Sequence, residues 1–238
     1  MKYFGMTDKG VSRAQNPDSF KIVQHNDSVL AVVCDGIGGH QAGDVASRLA
    51  CDTLVKCFRR SYENNAERWY NRSLEKVNRV VFELANKEPK YKGMGTTMVS
   101  AVVDPGNKVY LLNVGDSRAY LLTKNDELEQ ITEDHSLFNQ LVKKEGIAED
   151  KAREMGQHVI TRAIGIWPLV EGDIYEVDED FKYLMLCSDG LHNYVEADKI
   201  IEVLNNTELT GRQKCETLVN LANEAGGYDN ITVVLAEK

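Results

Sequence analysis

No apolar run in this 238-residue sequence exceeds the length of a β-strand, far short of the roughly 20 residues that a membrane-spanning helix needs. No membrane association is expected. There is no basic run either: Lys plus Arg number 28 against 37 Asp plus Glu, a net charge of −9 and a pI near 5.1. That balance argues against a nucleic-acid surface and suits carboxylates clustered around a cation. The five cysteines, Cys34, Cys51, Cys57, Cys187 and Cys215, are odd in number, lack CxxC spacing and lie mostly within apolar patterns. They read as reduced core residues of a cytoplasmic protein. The first nine residues reach Asp8 and Lys9 before any apolar segment forms, so no signal peptide is expected. No repeat, low-complexity tract or linker divides the chain, and its length suits one domain over residues 1–238 with a sizeable core.

What is present centres on acids at the ends of apolar runs. The stretch Ala31-Val32-Val33-Cys34-Asp35-Gly36-Ile37-Gly38-Gly39 begins as a buried strand, stops at an acid and continues through glycines, which let a ligand approach the backbone closely. Tyr183 to Cys187 is a second apolar run, leading into Ser188-Asp189-Gly190. Asp229 stands at the opposite end of a strand pattern, just before Asn230 and Ile231 to Leu235. Any one of these acids also fits a plain turn. Three in matching contexts point to one sheet edge and a shared hard cation, since oxygen ligands suit Mg²⁺ or Mn²⁺ and not zinc.

The periodicities give the frame. Strands are expected at Lys2–Asp8, Ser19–Gln24 and Ser28–Cys34, then an amphipathic helix from Ala42 and a second over Ala66–Asn86 with Leu74, Val77, Val81 and Leu84 on one stripe. Strand patterns follow at Thr96–Asp104, Lys108–Val114 and Ser117–Thr123. Their connections, Asp104 to Asn107 and Gly115-Asp116, are so short that antiparallel neighbours are expected. Residues 136–162 read as a surface excursion with two short helices, a candidate flap. Strands at Asp173–Val177 and Lys182–Ser188 and helices at Ala197–Leu204 and Arg212–Ala225 complete the chain. A doubly wound parallel sheet would need helices between most strands, so the fold class is α+β with antiparallel sheets and outer helices.

The series Arg13 with Asn16-Pro17-Asp18, VCDGIGGHQAGD, Gly95-Thr96-Thr97, VGDSRAYL, ITEDHS, Ile160 to Gly165, LCSDGL and DNITVV resembles the bacterial type-2C metal-dependent Ser/Thr protein phosphatases, the PPM family, in order and over nearly the whole chain. The resemblance implies an αββα sandwich of two antiparallel sheets with a metal centre in a cleft at one end. It implies that Asp35 bridges two catalytic metals, that the Gly36 carbonyl binds the second, and that Asp189 and Asp229 complete the first. Asp116, with Asp189, would hold a third, weaker ion. Arg13 would clamp the substrate phosphate, and Asp18 would be an outer-sphere acid. The cofactor is then Mn²⁺ or Mg²⁺, and the substrates are phosphoserine and phosphothreonine of proteins phosphorylated by a Ser/Thr kinase. A monomer is expected.

Physical chemistry supports that assignment. Paired divalent cations lower the pKa of a bridging water, so hydroxide can attack phosphorus in line near neutral pH, and the arginine fork meets two phosphate oxygens at once. The nucleophile is water; Ser117 and Ser188 lie in no nucleophile elbow. The glycine-rich stretches at 36–39 and 93–97 lack the full dinucleotide spacing and the P-loop lysine. Two departures stand out. Pro17 replaces a Glu or Gln of many relatives, which removes an indirect contact to the second metal. Ile37 stands where eukaryotic relatives carry a His proposed as general acid, and His40 and His135 read as structural. Two rival readings are a silent module that binds phosphoproteins and a phosphatase dedicated to one partner.

Overall fold

Alternation of side chains along apolar strands builds two inner faces and two outer ones. In the computed structural model, residues 1–38, 42–62, 65–156 and 159–238 are described. The elements run β1 (Lys2–Asp8), β2 (Ser19–His25), β3 (Ser28–Cys34), β4 (Gly36–Ile37), α1 (Ala42–Ser61), α2 (Ala66–Lys87), β5 (Gly95–Thr96), β6 (Met98–Val103), β7 (Val109–Val114), β8 (Arg118–Thr123) and β9 (Leu128–Gln130). Then come α3 (Leu137–Asn139), a π-turn (Gln140–Lys144), α4 (Glu149–Gly156), β10 (Asp173–Val177), β11 (Phe181–Cys187), α5 (Asp189–His192), α6 (Ala197–Asn205), α7 (Gly211–Glu224) and β12 (Ile231–Glu237).

Two five-stranded sheets form, in the orders β1-β12-β11-β8-β9 and β10-β7-β6-β3-β2, with β4 and β5 as a separate pair. The strand pairs are antiparallel. In β3, Ala31 and Val33 face the other sheet, while Leu30, Val32 and Cys34 face α1 and α2. In β11, Leu184 and Leu186 face inward, while Tyr183, Met185 and Cys187 face the helices α5 to α7. Strands buried on both faces read as continuous apolar runs, which is why β3 and β11 show no polar alternation. Full burial of each Leu or Val here contributes about 1.5–3 kcal/mol, against about 0–1 for an exposed ion pair. The apolar layers therefore hold the four-layer αββα stack together, as expected for the α+β class.

The helices follow their stripes. In α1, Ala46, Ala50, Leu54 and Phe58 are buried, and in α2, Tyr70, Leu74, Val77, Val81 and Ala85. Asn65 caps α2 by accepting from Arg68 N at 3.0 Å. A capping box at α7, with Thr210 and Gln213 bonded reciprocally, starts that helix.

Three expectations need correction. The Gly115-Asp116 connection does not make β7 and β8 antiparallel neighbours, because they lie in different sheets. Gly115 has φ +106, and a Cβ there would stand 2.7 Å from Thr97 Cγ2, so the chain swings across the sandwich at a corner that favours glycine. Thr97 interrupts the expected strand from Thr96, leaving β5 and β6, since its backbone N donates to Asp35 O at 2.9 Å. Asp189 does not close a strand; β11 ends at Cys187, Ser188 stands at the N-cap position, and Asp189 opens α5. The short strands β4 and β9 were not expected from periodicity at all.

The excursion at 136–156 carries α3, the π-turn and α4. Its base is pinned by backbone bonds, Leu137 N to Val159 O and Thr161 N to His135 O, both 2.7 Å. Residue His40, read as structural, lies outside the described residues, as do 157–158 of the candidate flap.

The corner yields a test. Gly115→Ala is expected to destabilise the fold by about 1–3 kcal/mol from positive φ and overpacking together, read as a lower urea midpoint at unchanged slope. A midpoint within error of wild type would show that the corner relaxes freely.

Candidate metal and phosphate site

Strand ends and two tight turns deliver the acids to one end of the sandwich. Asp35 follows β3, and its backbone is clamped: Thr97 Oγ1 accepts from Asp35 N at 2.9 Å, and Thr96 Oγ1 donates to Asp35 O at 2.8 Å. Thr97 Oγ1 also bonds Ser117 Oγ at 2.7 Å, tying the Asp35 turn to the corner that carries Asp116. Gly36 pairs with Thr96 across β4 and β5. A Cβ on Gly36 would stand 2.2 Å from Gly43 O and 2.8 Å from Pro17 O, so only glycine lets those three backbones meet.

Asp18 is buried, and its Oδ2 accepts from Ser188 Oγ at 2.7 Å and Thr232 Oγ1 at 2.6 Å. Behind Thr232 runs a chain of donors: Asn16 Nδ2 gives to Thr7 Oγ1 at 2.9 Å, and the Thr7 and Thr232 hydroxyls meet at 2.7 Å. Because Thr232 spends its proton on Asp18, Thr7 is the donor between the two threonines. Asp229 Oδ1 accepts from Asn230 N at 2.9 Å, and Asn230 Nδ2 donates to Lys9 O and Gln15 O at 2.8 and 2.9 Å. One side chain thus holds both ends of the loop that carries Arg13. Arg13 is exposed, and it donates from Nη2 to Asp229 Oδ2 at 2.6 Å and from Nε to Tyr228 O at 3.2 Å.

The electrostatics report how close the acids come. Burial, then the charges of Asp18, Asp189, Asp116 and Asp229, push the Asp35 carboxyl well above the usual range. Burial also pushes Asp18 up to about 7, opposed by its two hydroxyl bonds and assisted by Asp189 and Asp229. Asp116 rises to about 7 through burial and then Asp189 and Asp134. Asp35, Asp116, Asp189, Asp229 and Asp18 therefore share one field, with Arg13 at its edge.

The donor set fits hard divalent cations. All candidate ligands are carboxylate or carbonyl oxygens, and Asp18 Oδ1 is buried with no hydrogen-bond partner among the described residues, an atom that a hydrated ion would satisfy. Among the described residues no three such side chains already close into a ready-made shell.

The serines and histidines have other work. Ser117 and Ser188 are fully buried, with their hydroxyls spent as above. His135 Nδ1 accepts from Gly115 N at 3.1 Å, and its Nε2 faces Asp173 and Arg162 at 3.1 and 3.2 Å. His192 donates from Nε2 to Asp116 O at 3.0 Å, and burial pushes its pKa down to about 3. Neither is an imidazolium poised for the cluster. Residue-type reasoning missed Thr7, Thr97, Asn230, Thr232 and His192 as holders of the site. Asn230 and Thr232 lie within three residues of Asp229, and His192 within three of Asp189, whereas Thr97 belongs to Gly95-Thr96-Thr97, a motif with no acid, and Thr7 stands on an edge strand that only pairing with β12 explains.

A pH dependence follows. Asp18 and Asp116 move from 3.8 to about 7 on folding, so between those values the folded chain binds more protons than the unfolded one. Their contribution is most favourable below 3.8 and declines as pH rises through 7. The cation-stripped protein is therefore expected to melt lower at about pH 8 than at about pH 5.5, and Mn²⁺ to raise the melting temperature most at the higher pH. Saturation at 100-fold over Kd would add about 2.7 kcal/mol. An Mn²⁺ shift of equal size at both pH values would contradict this coupling.

Comparison with known proteins agrees with the geometry. The family profile of protein phosphatase 2C matches residues 10–224. The serine/threonine phosphatase stp of Listeria innocua is 37% identical over 239 residues, spanning 98% of this chain and 94% of its own. Protein phosphatase PhpP of Streptococcus pneumoniae is 35% identical over 237 residues, spanning 97% and 94%. The crystal structure of serine/threonine phosphatase Stp1 from Staphylococcus aureus matches with a TM-score of 0.91 at 35% identity, over 100% of this chain and 94% of that one. The PPM Ser-Thr phosphatase MsPP of Mycobacterium smegmatis, solved with cacodylate, matches at 0.84 and 31% over 100% and 98%. With profile, relatives and architecture agreeing over nearly its whole length, the chain belongs to the protein phosphatase 2C family.

Proposed function

We propose that this chain is a metal-dependent protein-serine/threonine phosphatase, a phosphoric monoester hydrolase acting on phosphoserine and phosphothreonine. The observation that carries this reading is the sharing of one electrostatic field by Asp35, Asp18, Asp116, Asp189 and Asp229, with an exposed arginine 2.6 Å from one of them. Asp35, Asp189, Asp229 and the Gly36 carbonyl would hold two ions, and Asp116 with Asp189 a third. When bound, hard divalent cations such as Mn²⁺ or Mg²⁺ supply the activated water and the Lewis acidity for in-line attack on phosphorus.

The chain's own residues do the rest. Arg13 receives the substrate phosphate, its fork matched to two oxygens. Asp18 would lie outside the ions' ligand set, its buried Oδ1 turned to their hydration water, while Ser188 and Thr232 fix the rotation of its carboxylate. Thr96 and Thr97 hold the Asp35 backbone, so its carboxylate is aimed before any ligand arrives. No serine attacks, since Ser117 and Ser188 have spent their hydroxyls on structure.

We further propose that residues 1–238 act as one phosphatase domain, a cytoplasmic monomer that opposes a Ser/Thr kinase on phosphorylated proteins. Supporting this are five buried cysteines that are free thiols and, among the described residues, no helix long and apolar enough to cross a membrane.

Asp35→Asn is expected to cut hydrolysis of a phosphothreonine peptide to roughly a hundredth or less, while the cation-free protein melts no lower than wild type, because one repelling charge is gone. Retained turnover in the folded variant would remove Asp35 from the chemistry. Arg13→Ala should raise KM with kcat little changed; a fall in kcat alone would deny it a ground-state clamp.

A further inference from the structure

Tyr228 and Val11 leave apolar surface in solvent beside the acid cluster, 57% and 71% exposed. Backbone bonds fix them there. Val11 N and Ser12 N both donate to Gly227 O at 2.9 Å, and the Tyr228 carbonyl takes Arg13 Nε at 3.2 Å. The Tyr228 ring packs on Tyr194, centroids 5.5 Å apart at 44°. Tyr194 in turn follows α5, the helix that Asp189 opens. Single exposed apolar residues need no explanation, but a group at the rim of a charged site marks a contact surface.

We propose that Tyr228, Tyr194 and Val11 form a lip that receives an apolar side chain of the phosphoprotein substrate, within two residues of the phosphorylated one. The inference rests on the phosphatase reading and adds a sequence preference to it. Proximity sets the position: the lip's own carbonyl holds the phosphate-binding arginine, and an extended peptide advances about 3.3 Å per residue, so only close neighbours of the phosphoresidue reach it. Chemistry sets the type. Two stacked phenol rings and a valine present apolar faces, and the guanidinium of Arg13 beside them disfavours a cationic side chain. The cavity of about 620 Å³ that Asp116 helps to line makes no such offer. Of its cations, Arg118 pairs with Asp134 at 2.7 Å, Lys143 with Glu133 at 2.8 Å, and Arg153 lies over the Phe138 ring, 5.4 Å from its centroid.

The test compares kcat/KM for phosphothreonine peptides of equal length, flanked by glycine only or carrying one Leu, Phe, Lys or Glu at each of the two positions on either side. Wild type, Val11→Ser and the double variant V11S/Y228S are assayed with Mn²⁺, with circular dichroism to confirm folding. At one or more positions, wild type should prefer Leu or Phe over glycine by roughly five- to tenfold, the low end of pocket discrimination. The double variant should lose that preference, read as the ratio of kcat/KM on the Leu or Phe peptide to that on the glycine peptide of the same variant. If the double variant does not fold, Val11→Ser alone, at the most exposed of the three, should reduce the preference. Equal wild-type rates on all peptides, a preference for Lys or Glu, or a Leu preference that survives in the variants overturns the lip. A folded, Mn²⁺-loaded protein that leaves even the glycine peptide intact overturns the phosphatase reading along with it.

Discussion

Mutual repulsion among carboxylates gathered at one end of the sandwich, Asp18 buried and Asp35, Asp116, Asp189 and Asp229 half-buried, is the constraint on which this structure turns. Asp35 feels four other aspartates, and burial raises it further, so nothing in the acids themselves favours their meeting. The fold has to impose it. It does so with neutral groups: hydroxyls of Thr96, Thr97, Ser188 and Thr232 and the amide of Asn230 hold backbones and carboxylates without adding charge. Neutral groups tolerate both a protonated cluster and an ion-filled one. Lysines in those places would neutralise the acids and leave little negative potential for a cation.

Rigid strand ends make this imposition affordable. Two sheets buried on both faces resist displacement, since shifting a strand by one residue would turn Leu184 and Leu186 from the inter-sheet core to the helices. The acids sit where these strands stop, so their backbone positions inherit the rigidity of the core. The corner at Gly115 joins the sheets at the same end, which is how Asp116, leaving one sheet, comes within the field of Asp189, which follows a strand of the other.

Much of this was legible in the sequence, because the signals were local. Apolar runs of strand length gave β1, β2, β3 and β7 within about a residue, and helical stripes gave α1 and α2. Asp35, Asp189 and Asp229 announced themselves by ending or opening such runs. The parts that were not legible depend on pairing across the sandwich. A two-residue connection looks like a hairpin unless it is known that Gly115 must clear Thr97. Thr7 looks like any strand residue until β12 brings Thr232 to 2.7 Å from it. The three-residue β9 exists through its pairing with β8, not through any pattern of its own.

On the proposed reading, in which Arg13 receives the substrate phosphate, the same constraint would also prepare the substrate side of the site. An exposed arginine ordinarily samples many rotamers, and fixing it on a ligand costs about 2 kcal/mol of side-chain entropy at most. Here Asp229 and the Tyr228 carbonyl hold Nη2 and Nε, so part of that cost is met before a phosphate arrives, and the other N–H groups of the fork remain to bind it. The attraction that holds it is the excess negative charge of the cluster. On the proposed reading Asp229 would also hold an ion, and sharing its charge in that way would loosen its grip on the guanidinium.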